Sequence, residues 1–259
     1  MIDDGFYNMD CFDGMSQIDD KSIDMILCDL PYGTTQCSWD VVIPFEPLWE
    51  EYKRIIKDNG AIVLFGTQPF TSHLVMSNLG MFKYELIYEK TQPSGHLNAH
   101  RMPMRYHENI LVFYKYQPTY NPQKTYGHKR KQSKGQIVHK SDVGNGCYGA
   151  QEKGANYDST ERYPKSILKF SNGLMKQKSL HHTQKPVELC EYLIKTYTDV
   201  GDLVLDNCAG SCSTGIACHN TGRWFIGFEK DKDIFNKANK RLIEHKAQMN
   251  LFDIGLERK

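Results

Sequence analysis

Residues 204–231 read VLDNCAGSCSTGIACHNTGRWFIGFEKD, and the order of residue types in this stretch decides the fold. Leu203, Val204 and Leu205 have the composition of a buried strand, and that strand ends at Asp206. Gly210 and Gly215 follow in a run of small residues that leads into a helix, so the backbone can pass close to a ligand and the first helical amides can face it. A second strand, Trp224 to Phe228, ends at Glu229, 23 residues beyond Asp206. An acid at that strand tip can accept hydrogen bonds from both hydroxyls of a ribose. The dinucleotide form of such a unit carries G-x-G-x-x-G, which is absent here, so the pattern describes a nucleoside-cofactor site.

The same alternation extends outward. Ser22 to Cys28 is a buried strand, Phe45 to Lys57 places Leu48, Trp49, Tyr52, Ile55 and Ile56 on one helical face ended by Asp58-Asn59-Gly60, and Ala61 to Phe65 is again a strand. A helix from about Pro69 to Leu79 and strands near Phe82 to Glu89 and Asn109 to Tyr116 come next. After a polar, glycine-dotted region, Pro186 opens a helix with Val187, Leu189, Cys190, Leu193, Ile194 and Tyr197 on its apolar side, and a charged helix runs from about Asp231 to Gln248. Strands alternating with helices predict an α/β fold, a Rossmann-like, mostly parallel sheet with helices on both faces.

The chain has 259 residues, enough for one large α/β core, and its apolar runs are too short to span a bilayer. The acidic amino terminus lacks the signature of a signal peptide, and eight scattered cysteines fit reduced thiols in a cytoplasmic protein. Cys208, Cys212, Cys218 and His219 lack C-x-x-C pairing and fall in or near the glycine turn, so no structural metal is expected. Charge is uneven: residues 116–181 hold 12 Lys or Arg against 4 Asp or Glu, a balance of +8 in a chain of net +1, which leaves −7 on the rest. A basic insert on an acidic body is a sign of polyanion binding, and also of a solvated, flexible insertion. The expected division is a body of residues 1–116 and 181–259 and an insertion of residues 117–180.

A second stretch, CDLPYG at residues 28–33, ends a strand in an acid, a proline and a tyrosine. Pro31 blocks further pairing and limits where the Asp29 carboxylate and the Tyr32 ring point. A carboxylate and an aromatic face at a strand end suit a flat, polar ring, and they equally suit a turn capped by Asp29 and closed by Tyr32.

Together, DLPY near the start and DNCAGSCSTG near the end resemble the amino DNA methyltransferases that use S-adenosylmethionine, in the permuted order called the beta class, where the catalytic motif precedes the cofactor motif. NMDCFDGMSQIDDKSIDMILCDLPYG, NAHRMPMRYHENILVFYK, HHTQKPVEL and WFIGFEKD agree with it, over about residues 7 to 116 and 181 to 245. Leu30 stands where the family usually has a proline, and Cys212 where many members have a second glycine. The resemblance implies a circularly permuted class I methyltransferase fold, S-adenosyl-L-methionine as cofactor, and double-stranded DNA as partner; it makes a homodimer plausible by analogy. Catalytic roles fall to Asp29, Leu30, Pro31 and Tyr32: Asp29 accepts one hydrogen of an exocyclic base amine, a carbonyl at Leu30 or Pro31 accepts the other, and Tyr32 stacks on a flipped base for about 1–3 kcal/mol. Cofactor contacts fall to Asp10, Cys11, Asp29, Thr183, Gln184, Lys185, Asp206, Gly210, Ser211 and Glu229. Phosphate contacts fall to Lys124, Lys129, Arg130, Lys131 and Lys134 of the basic insert, with Arg101 and Arg105 from the loop between two strands. An acid at the head of the motif goes with N6 of adenine in this family; N4 of cytosine, or a catalytically silent DNA-binding protein on the same fold, are the alternatives.

Overall fold

The computed structural model describes residues 2–34, 37, 40–133, 156–172 and 184–256, with side chains as far as residue 248. It divides into two compact units, residues 1–121 with 166–259, and residues 122–165.

In chain order the elements are β1 (Gly5–Tyr7), α1 (Cys11–Met15), β2 (Ile23–Cys28), α2 (Phe45–Ile55), β3 (Ile56–Gly66), α3 (Phe70–Ser77), β4 (Phe82–Ser94), β5 (Arg105–Phe113), β6 (Lys131–Ser133), β7 (Tyr157–Ser159), β8 (Ile167–Phe170), α4 (Val187–Tyr197), β9 (Leu203–Asp206), α5 (Ser213–Thr221), β10 (Trp224–Phe228) and α6 (Lys232–Leu256). The first unit is built on an eight-stranded sheet in the order β1-β10-β9-β2-β3-β5-β4-β8. Only β5 runs antiparallel to its neighbours, β3 and β4.

Side-chain alternation explains why both faces are covered. Met25 and Leu27 of β2, with Ala61, Val63 and Phe65 of β3, join Leu189, Leu193 and Ile194 of α4 and Ile216 of α5 in one core. Ile26 and Cys28, with Ile62 and Leu64, join Leu48, Trp49 and Tyr52 of α2 in the other. Strands buried on both faces have to be apolar at successive positions, which is why β2 and β3 read as continuous hydrophobic runs. From β2 the chain winds outward to β3, and from β9 it winds the other way to β10. The pair β2 and β9 is therefore the topological switch point, where crevices form at the carboxyl ends of strands.

Several boundaries differ from expectation. Asp58-Asn59-Gly60 does not stop α2; the helix has already ended at Ile55, and these residues form an irregularity inside β3, which pairs Ile23 with Ile56 and then Met25 with Ala61. Gly60 is needed there because a Cβ would lie 2.8 Å from the Asp24 carbonyl oxygen. The short edge strands β1 and β8 carry too few residues to show a period. Because β8 pairs in parallel with β4, the main sheet reaches into the stretch assigned to the insertion, and the second unit is the narrower 122–165. Within that unit β6 pairs antiparallel with β7, Thr125 bridges Arg162, and Lys124 pairs with Glu161 at 2.9 Å.

Candidate functional site

A cavity of about 950 Å³ opens in the first unit at the carboxyl ends of β2, β9 and β10. Its walls bring together Asp29, Leu30, Pro31 and Tyr32 after β2, Asp10 and Cys11 at the start of α1, Gln184 and Lys185 before α4, and Asp206, Gly210, Ser211 and Glu229 around the glycine turn. Arg105 and Glu108 of β5 and Lys90 of β4 line it as well. Thr183 and Lys134 lie outside the described residues. Arg101 is exposed in the turn that follows residues 96–98 and is not on the cavity wall.

The glycine turn is held from three sides. Gly210, in the left-handed region at φ +50°, donates its amide to Glu229 Oε2 at 3.0 Å, while Glu229 Oε1 accepts from the Asp231 amide at 2.8 Å. Asp206 Oδ1 accepts from the Cys208 amide at 3.2 Å, and burial pushes its pKa up to about 6. Asn207 is fixed from the far side of the sheet by the Tyr52 hydroxyl at 2.6 Å. Cys212 takes φ +60°, the left-handed conformation a glycine would adopt without a Cβ, and its side chain is fully buried. Arg241 of α6 donates to the Ser211 carbonyl at 2.7 Å and, in the amide orientation that satisfies both groups, to Gln184 at 2.8 Å.

Asp10 caps α1, accepting from the Phe12 amide at 2.9 Å, and its other oxygen meets Lys230 at 3.0 Å. Capping and cavity lining are thus combined in one residue. The thiols of Cys11 and Cys28 both hydrogen-bond with that of Cys208, and burial pushes Cys28 up to about 12, so that group stays a neutral thiol at physiological pH. Among the described residues, no group of three or more His, Cys, Asp and Glu is placed to hold a metal ion, and no helix is long and apolar enough to cross a membrane.

The catalytic acid candidate is not a lone carboxylate. Tyr32 donates its hydroxyl to Asp29 Oδ1, and Lys185 Nζ stands 2.5 Å from Oδ2. Lys185 reaches a second acid, Glu108, at 3.1 Å, and Glu108 is also paired with Lys90. Lys185 therefore sits between two carboxylates instead of projecting alone into the cavity. The ring of Tyr32 packs on Phe70 with centroids 5.0 Å apart. Burial, with Glu108 nearby, raises the Asp29 pKa although Lys185 and Tyr32 oppose it. Burial would also raise Glu108, but Lys185 and Lys90 overcome it and hold that carboxyl at about 2. Burial by itself would depress Lys185; Asp29 and Glu108 more than offset it and keep the ammonium charged.

Sequence reasoning missed Glu108, Lys90, Tyr52 and Arg241. Glu108 had a signal: it is a charged residue placed immediately before Asn109 and the buried run Ile110 to Phe113, where a solvated side chain is not expected. Arg241 had none, because on a charged helix one inward guanidinium looks like its neighbours.

A mixed sheet with acids at the tips of β2, β9 and β10, all facing one cavity at the switch point, defines a class I methyltransferase fold. Comparison with known proteins gives the family: a family model described as DNA methylase, of the N6/N4 type, matches residues 23–240. The chain belongs to this DNA methylase family and is a DNA methyltransferase. It is 28% identical over 261 residues to the type II methyltransferase M1.MboII of Moraxella bovis, covering 90% of this chain and 94% of that protein. It resembles the crystal structure of an M1.HpyAVI-SAM complex with a TM-score of 0.59 and 25% identity, over 91% of this chain and 98% of that one. The cytosine-N4-specific PvuII DNA methyltransferase shares the fold with a TM-score of 0.65 at 13% identity, over 95% and 92% of the two chains.

Proposed function

We propose that this chain methylates the N6 amino group of an adenine flipped out of duplex DNA, with S-adenosylmethionine as donor. The observation that carries the reading is the single cavity of about 950 Å³ lined both by Asp29 to Tyr32 and by Asp206, Gly210 and Glu229. Such a volume lies in the range of small-molecule sites and accommodates a nucleoside-sized cofactor beside a base. The residues fit the cofactor: Glu229 is a strand-tip carboxylate turned to the cavity and oriented by two backbone amides, as a partner for ribose hydroxyls must be. When bound, S-adenosylmethionine supplies an electrophilic methyl on a sulfonium.

The protein's own task is to make the base amine a nucleophile, since its lone pair is delocalised into the ring. A carboxylate accepts at about four lone-pair positions, so Asp29 can keep Tyr32 and Lys185 and still accept one amine hydrogen. A carbonyl of Leu30 or Pro31, both on the cavity wall, accepts the other. Two acceptors in fixed positions favour a tetrahedral nitrogen and stabilise the positive charge that develops on it. A base paired in a duplex cannot reach this wall and must leave the stack. Exposed Lys129 and Lys131 of the second unit are the phosphate contacts best supported, whereas Lys124 is paired with Glu161 and Arg130 with Asp158.

The test is incubation with S-adenosylmethionine and unmethylated duplex DNA, digestion to nucleosides and mass spectrometry, beside Asp29→Ala. N6-methyladenine that disappears in the variant is expected. The same contacts serve N4 of cytosine, so N4-methylcytosine would keep the mechanism and change the base, and cofactor binding with no methylated product would overturn the reading.

A further inference from the structure

Two acids share one lysine in the cavity wall, and the reaction proposed above uses only one of them. Glu108 comes from β5, Lys185 from the turn before α4 and Asp29 from the end of β2, so three separate elements converge on one ammonium. Side-chain exposure is 9% for Lys185 and 12% for Glu108, which removes most of the solvent screening that makes surface ion pairs weak. Lys90, of β4, closes the far side of Glu108. The four charges sum to zero. A largely buried carboxylate on the cavity wall is costly unless it is paired, and Glu108 is paired with both Lys90 and Lys185.

We infer that Glu108 is a positioning residue for methyl transfer: the Lys185 ammonium lies nearer Asp29, at 2.5 Å, and Glu108, at 3.1 Å, shares its positive charge, leaving the Asp29 carboxylate a stronger acceptor for the substrate amine than an unshared ion pair would. The inference rests on the methyltransferase reading. An acceptor wholly engaged by one ammonium has less electron density to offer a weak donor such as an aromatic amine. Sharing the ammonium between two carboxylates restores it, while Lys185 remains close enough to keep Asp29 ionised in a buried setting.

Asp29 is faced by Tyr32 and Cys28 from its own strand end, by Lys185 and Cys190 from α4 and the turn before it, by Asp206 from β9, and by Glu108 from β5, with Lys90 and Tyr88 of β4 beyond Glu108. The Cys28 and Cys190 thiols, both pushed up to about 12, and the Tyr32 and Tyr88 hydroxyls, raised higher, stay neutral through the working range. Asp206, at about 6, titrates within that range, but the substitutions below leave it in place, so its contribution is common to all of them.

Removing each partner of Lys185 and Lys185 itself gives opposite signs. Glu108→Gln leaves Lys185 to Asp29 alone, so the acid limb of the kcat–pH profile moves to lower pH, and kcat on its plateau falls about tenfold because the acceptor is weaker. Lys185→Met strips Asp29 of its counter-charge, so the acid limb moves to higher pH and activity recovers as pH is raised. The double variant loses one charge of each sign, folds with the site neutral, and brings the limb back toward the wild-type position. KM for DNA stays within about twofold in Glu108→Gln, because Glu108 acts through Lys185 and not on the base. Limbs that move in opposite directions, with the double variant between them, are the expected result; a merely structural role would lower activity without ordering the limbs by charge. Limbs that stay in place, or move the same way, would overturn the inference while methyl transfer by the unmodified chain still stood. Failure of the unmodified chain to transfer a methyl group to any DNA would overturn the reading beneath it, and the inference with it.

Discussion

Glu229 offers a substitution in which shape is kept and only the acceptor pattern changes. Both of its carboxylate oxygens are committed to backbone donors, Oε2 to the Gly210 amide at 3.0 Å and Oε1 to the Asp231 amide at 2.8 Å. In Glu229→Gln one oxygen becomes an NH₂ group, and whichever way the amide is turned that group faces an N–H. One donor therefore loses its partner and meets another donor, and the remaining bond is no longer charge-assisted. Loss of one charge-assisted hydrogen bond costs about 1.5–3 kcal/mol. At 1.4 kcal/mol per factor of ten this corresponds to a rise in Kd for S-adenosylmethionine of roughly ten- to a hundred-fold. In the complex proposed above, the ribose hydroxyls would meet a neutral, misoriented amide in place of a charged acceptor, so a loss of this size falls on cofactor binding. Isothermal titration calorimetry of wild type and variant at pH 8 reads it directly. Burial raises the Glu229 pKa, so wild-type affinity should begin to fall, as pH is lowered, sooner than an exposed glutamate would allow, and the variant should lack that dependence. A Kd within twofold of wild type, with the variant folded, would refute the assignment of Glu229 to the cofactor.

Asp206 gives a stability prediction of the opposite kind. Burial raises its folded pKa to about 6 from 3.8, so its contribution to stability is fully present below the unfolded pKa and lost as pH rises through 6. Asp206→Asn should then be more stable than wild type to unfolding by roughly 2–3 kcal/mol at pH 8 and about equally stable at pH 4, while binding cofactor less tightly; equal stabilities at both pH values would count against a buried, ionised Asp206. For DNA, Lys129→Ala with Lys131→Ala should lower the slope of log K against log salt by about 2 if both neutralise phosphates, measured by fluorescence anisotropy. An unchanged slope would move the electrostatic contact elsewhere.

What the sequence made legible was whatever depends on local order. The run Leu203 to Asp206, the glycines and Glu229 follow one another along the chain, and the structure keeps that order as strand, turn, helix and strand. DLPY was legible for the same reason, since Pro31 lacks the amide that continued pairing of the strand before Asp29 would use. Pairings across the sheet were not. Nothing adjacent to Glu108 in sequence indicates that it will meet Lys185, because that contact exists only once β5 has inserted antiparallel beside β3 and β4. β1 and β8 escaped because three or four residues cannot display a period, and they are strands only through their partners β10 and β4. Cys212 is the intermediate case: its departure from glycine was visible, whereas its left-handed backbone, tolerated under full burial, was not.

The permuted order and the geometry of the site are connected. β2 and β9 are neighbours and parallel, with Met25 opposite Val204 and Ile26 opposite Leu205, so their carboxyl ends lie on the same edge of the sheet. Whichever strand comes first in the chain, the acid after β2 and the acid ending β9 open onto the same crevice. Motif order can therefore be exchanged without moving either acid, provided the connections cross over elsewhere. What cannot be exchanged is the outward winding on each side. It leaves the two strand ends uncovered by a connection, and such a crevice is where open α/β sheets bind their ligands.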